Sequence, residues 1–144
     1  MNDVYKSPES NLEVDEYQSL VIKLLKEQSI ILALLSALFG TVAMLVALSL
    51  APGIVPLYVF VLPGLVSGIL IKLLGRPIKL VYRFVPSLIC GVIVLVWFSL
   101  DGVTIHTVLL PFLNILACLA ISRRNLNYEE EKAIYKYKHG LIKL

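Results

Sequence analysis

Ser99, Asp101 and His106 lie close together in the sequence. A hydroxyl, a carboxylate and an imidazole are the groups of a nucleophilic triad, but geometry defines a triad, not order. No glycine-flanked nucleophile turn accompanies them, so no catalysis is expected there. A pH-sensitive pair of Asp101 and His106 is the alternative chemistry, because imidazole titrates near neutrality. The plainer reading is a wetted histidine at the level of lipid headgroups. Cys90 and Cys118 have no CxxC neighbour, so the spacing of a zinc site or a disulfide framework is missing and both read as small packing residues. His106 and Cys118 are 12 residues apart, or roughly 18 Å along a helix. Neither HExxH nor a phosphate-cradling glycine loop is present. No catalytic residue, no metal and no cofactor is therefore expected.

Two further sets could bind rather than react. Pro63, Thr107, Pro111 and Asn114 form a candidate polar pathway. Proline frees the carbonyl four residues earlier, which for Pro111 is that of Thr107, and broken helices with freed backbone groups line many transport sites. Lys72, Arg76, Lys79 and Arg83 form a basic cluster that could hold an anionic lipid or an acidic partner. A basic residue near anionic lipid contributes about 1 kcal/mol.

The elements that carry these residues follow from composition. The chain has 144 residues, 58% hydrophobic and only 16% charged, whereas a soluble domain is roughly 25% charged. That deficit excludes a water-soluble globule, a disordered chain and a disulfide-rich secreted module, and no nucleic-acid partner is expected. A run of 44 uncharged residues separates Glu27 from Lys72, and each bilayer crossing needs about 20. Pro52, Gly53 and Pro56 divide it into spans at about 29–50 and 55–74. Two more spans, about 84–100 and 103–122, flank a tight turn at Asp101 and Gly102. The expected fold is an all-α integral membrane protein. Its four-helix transmembrane domain, 29–122, lies between an N-terminal interfacial helix, 1–28, and a C-terminal cytoplasmic helix, 123–144.

All 13 Lys and Arg fall before the first span, between the second and third, or after the fourth. Basic flanks mark the cytoplasmic side, so both termini are expected inside, in a bacterial inner membrane. Tyr58, Trp97 and Phe98 fall toward the outer ends, and Tyr82, Phe84 and Tyr128 near the inner boundary, as interfacial aromatics do. The acidic start of the chain does not read as a cleavable signal peptide.

Small residues recur one turn apart: Ser36 with Gly40, Gly64 with Gly68, Ser87 with Gly91. Such pairs let helices approach closely, within the chain or in a homodimer. Val14, Tyr17, Val21, Leu24 and Leu25 form one apolar stripe, and Ala133, Ile134, Tyr137 and Leu141 another. Asn127 is the expected cap of the C-terminal helix, Glu129, Glu130 and Glu131 suit its first turn, and Gly140 suits its end. The two terminal helices could meet through Asp15 and Glu16 and the lysines, lie on the membrane, or dock on a partner.

No Asp, Glu, Lys or Arg lies in the interior of a span, which leaves an ion-coupled carrier without its exchanging group. The leading expectation is a non-catalytic accessory, assembly or regulatory subunit of a membrane complex, bound to a membrane protein partner or to itself. A small uncoupled dimeric channel or carrier is the second reading. A membrane enzyme acting on lipid at the inner face is the third.

Overall fold

The computed structural model describes residues 8–51, 56–100 and 104–141, with side chains from Glu16 onward. The expected turns at Pro52 and Gly53 and at Asp101 and Gly102 lie outside the described residues, as do the side chains of Val14 and Asp15. Every regular element among the described residues is helical. In order they are α1 (Pro8–Glu27), α2 (Ile30–Ser49), α3 (Leu62–Leu70), α4 (Val81–Ser99), α5 (Ile105–Ile121) and α6 (Tyr128–Lys138). Three stretches, Glu16–Ser49, Leu57–Gly75 and Val81–Ser99, are long and apolar enough to cross a membrane. The first runs through the cap at Ser29, and its apolar part is α2. Helix α5 is apolar but has 17 residues, about 26 Å, at the lower limit for a bilayer core.

The chain forms two compact units, one of residues 28–124 and the other of 1–27 with 125–144. In the larger, α2 starts because the Ser29 side chain accepts the Leu32 N–H at 3.2 Å. The second apolar stretch is less regular than the sequence suggests. A 3-10 turn, Leu57–Val61, leads into α3, and a π turn, Ile71–Gly75, ends it. Pro63, in the first turn of α3, has no N–H to give, so the change of helix type falls where a donor is missing. Between this stretch and α4, Gly75 and Pro77 carry the signals of a helix stop and restart. The stop is at Gly75, but Arg76 takes the left-handed conformation (φ 44°) and α4 starts only at Val81.

Close approaches set the helix directions. Gly40 lies against Ser67, and Gly75 against Ala33, so α2 and the α3 stretch run antiparallel. Gly91 meets Pro111 and Ile115, and Cys90 packs with Cys118, so α4 and α5 are antiparallel. Gly64 meets Asn114, and Gly68 meets Cys118, so α3 and α5 run in the same direction. The four apolar helices therefore alternate in direction along the chain.

This unit is apolar outside and small or polar inside. Ala33, Ala37, Ile71, Cys90 and Cys118 form one buried cluster, and Leu45, Val94 and Leu110 another, with Phe60 edge-on to Phe98 at 5.1 Å beside it. Ile31, Phe39, Val92, Ile105 and Phe112 are more than half exposed. Water would penalise that arrangement, whereas lipid tails accept it.

The smaller unit has its own core. Tyr17 and Val21 of α1 pack on Ala133 of α6, with Leu20, Leu25 and Tyr137 around them. Asn127 and Glu130 form a reciprocal cap at the start of α6, and Gly140 closes its end at φ 70°. Contact between the two helices includes the Tyr17 ring, with Lys136 Nζ at 4.0 Å and Lys132 Nζ at 5.2 Å from its centre.

Candidate functional site

Asn114 is the largest polar side chain fully buried among the described residues. It sits midway along α5, one turn after Pro111, facing the irregular start of α3. Its Oδ1 accepts the Gly64 N–H at 2.6 Å, and its Nδ2 donates to the Phe60 carbonyl at 2.9 Å and to the Leu110 carbonyl at 2.9 Å. In a regular α-helix the Gly64 N–H would bond directly to the Phe60 carbonyl. The carboxamide thus bridges the two groups on either side of the helix irregularity. Gly64 has to be glycine for this, since a Cβ there would stand 2.6 Å from the Asn114 carbonyl oxygen.

Of the candidate pathway, Asn114 is buried in α5, Pro111 lies one turn before it in the same helix, and Pro63 precedes the Gly64 that Asn114 bonds. The Asn114 carboxamide is spent on backbone partners. Thr107 is about two turns from Asn114 and caps α5, its Oγ1 accepting the Thr104 N–H at 3.0 Å.

A second buried polar group lies one helical turn further on. Thr41 Oγ1 donates to the Ala37 carbonyl at 2.6 Å and sits 2.8 Å from Ser67 Oγ. Cys90 and Cys118 pack together in the buried cluster beside this pair. Spacing in sequence gave no sign that the two free, fully buried cysteines would meet, because they lie on different helices. The Thr41–Ser67 bond joins α2 to α3, with a thiol from α4 and one from α5 packed in the adjoining cluster, which fits packing in a medium without water.

The small-residue pairs serve contacts inside the chain. Gly64 and Gly68 face α5, Gly40 faces α3, and Gly91 faces α5. Ser36 and Ser87 return their hydroxyls to carbonyls one turn back, those of Leu32 and Arg83.

The basic residues gather at one end of this unit. Lys72 and Arg76 lie where the α3 stretch ends, Lys79 and Arg83 where α4 begins, and Arg123 and Arg124 just past α5. The antiparallel directions bring these termini together. Gln28, which the sequence did not single out, ties the same end: its Oε1 accepts the N–H groups of Ile78 at 3.1 Å and Lys79 at 3.0 Å. Ser29 N–H donates to the Gly75 carbonyl at 3.1 Å beside it. A glutamine before a cap is common in surface loops, so only the fold reveals this role. At the other end, His106 is exposed in the first turn of α5, and Asp101 lies outside the described residues.

Compared with protein-family models, curated proteins and solved structures, the chain matches none. What the fold defines is an all-helical protein with three helices long and apolar enough to span a membrane, and hence the class of integral membrane proteins.

Proposed function

We propose that the chain crosses a bacterial inner membrane four times, with both termini in the cytoplasm, and serves as a non-catalytic assembly or regulatory subunit of a membrane complex. The fourth crossing is α5. Support for it comes from its exposed apolar face, Ile105, Val108, Leu109, Phe112 and Leu116, and from its direction opposite to α4. The basic end of the 28–124 unit is its cytoplasmic end by the positive-inside rule.

The observation that carries the subunit reading is the separate α1–α6 unit with its own core. A protein that needed only to sit in the bilayer would have no use for a packed pair of amphipathic helices outside its apolar unit. The two helices leave Tyr128, Tyr135 and Ile22 exposed, and a cleft between them is lined by Glu16, Lys23, Glu27 and Glu130. Aromatic residues are enriched where proteins bind partners. The channel reading draws less support, since the Asn114 carboxamide is occupied by backbone groups.

Purification in a gentle detergent, followed by mass spectrometry, tests the proposal. A partner should copurify with the chain and be lost from a Tyr135→Glu variant that still folds. A single monodisperse species with no partner would sink the subunit reading.

A further inference from the structure

We infer that Arg83 and Arg123 together form a binding site for a phosphate group, carried by an anionic lipid headgroup or free in solution. The inference does not rest on the subunit reading. It starts from Arg83, three residues into α4, whose Nε is buried and meets no hydrogen-bond acceptor. A guanidinium keeps its proton and offers five donors. A buried donor left unmade is costly, and more so on a charged group.

The second observation is the neighbour. Arg123, two residues past α5, lies close enough that its charge opposes that of Arg83. Two like charges held together repel, and an anion between or beside them relieves that repulsion. The unit cannot supply one at that end. From Gln28 to Arg124 the chain carries Lys72, Arg76, Lys79, Arg83, Arg123 and Arg124 but one carboxylate, Asp101, in the segment joining the opposite ends of α4 and α5.

Position and shape then select the ligand. The pair sits where the exposed apolar surface of α4 and α5 gives way to charge, with Phe84 and Leu80 exposed alongside. That is the depth of lipid phosphates. A phosphate offers several oxygens in the geometry that a guanidinium fork grips with two bonds, which an ammonium cannot copy. Both members of the pair are arginine.

The test uses the full-length protein in neutral detergent, with ligand retention followed by native mass spectrometry. Short-chain phosphatidylglycerol and inorganic phosphate are titrated separately, with phosphatidylcholine as the zwitterionic reference. Retention of phosphatidylglycerol above phosphatidylcholine, weakened about thirtyfold by Arg83→Gln with Arg123→Gln, is expected. Lys23→Gln, in the other unit, should leave it unchanged. Arg123→Gln alone lies outside the helix and keeps the test open if the double variant does not fold; about fivefold weaker retention is expected. Binding of inorganic phosphate with the same dependence would support the site and assign it to a soluble anion. Equal retention by wild type and Arg123→Gln, or no retention of either phosphate source above the reference, would overturn it, even if a partner for the chain were found.

Discussion

Asn114 shows how one side chain can hold a broken helix in place. Its carboxamide answers one N–H and two carbonyls, on two helices. Asn114→Leu keeps the branched shape, with somewhat more bulk, but leaves the Gly64 N–H and the Phe60 carbonyl without their partner. Interhelical hydrogen bonds in membrane proteins are worth about 0.6 kcal/mol on average and reach about 1.7. The substitution should therefore cost about 1–3 kcal/mol, read as a lower unfolding midpoint in mixed micelles. Gly64→Ala acts at the same joint through sterics. Its Cβ would lie 2.9 Å from the Asn114 Cα, an atom of the backbone that cannot turn aside. A loss of about 1–3 kcal/mol is expected from such overpacking. If either variant melted with the wild type, the joint would be dispensable.

At the scale of the element, the termini of α6 are the most legible part of the chain. The sequence places Asn127 before three glutamates and Gly140 after Lys136 and Lys138, and both cap as expected. Asn127→Ala should cost about 1 kcal/mol and raise the protease sensitivity of the C-terminal segment. Gly140→Ala meets nothing within 4 Å, so any cost comes from its positive φ alone, about 1 kcal/mol. The pairing of α1 with α6 was less legible. Lysines were expected against the acidic start of α1, and two of them lie over the Tyr17 ring. Tyr17→Leu would keep the core apolar and remove the ring's quadrupole. It should loosen α6 by about 0.5–1 kcal/mol, measured by hydrogen exchange in α6. Exchange identical to wild type would show that the lysines add nothing there.

For the whole molecule, alternating helix direction and the gathering of charge at one end make a topology that can be read from outside. Cysteines introduced at Lys79 or Arg124 of a Cys90→Ala, Cys118→Ala background should react with impermeant maleimide only from the cytoplasmic side. Labelling of Lys79 from the outer side would reverse the orientation. The same close packing places Gly64 and Gly68 against α5, so a dimer has to use some other face.

Composition alone determined that this chain belongs in a membrane, and charge placement determined where its apolar stretches lie. Those properties are sums over many residues, and each bilayer crossing must be long and uncharged whatever its neighbours are. Cap residues were legible for a related reason, since a cap is a contact within a few residues. Only the tertiary structure decided what the polar residues within those stretches do. Asn114 meets Gly64 across 50 residues, Gln28 meets Lys79 across 51, and Cys90 meets Cys118 on another helix. The sequence marks such groups as costly in lipid, but the partner that offsets the cost is chosen by helix rotation and packing, which no local pattern records.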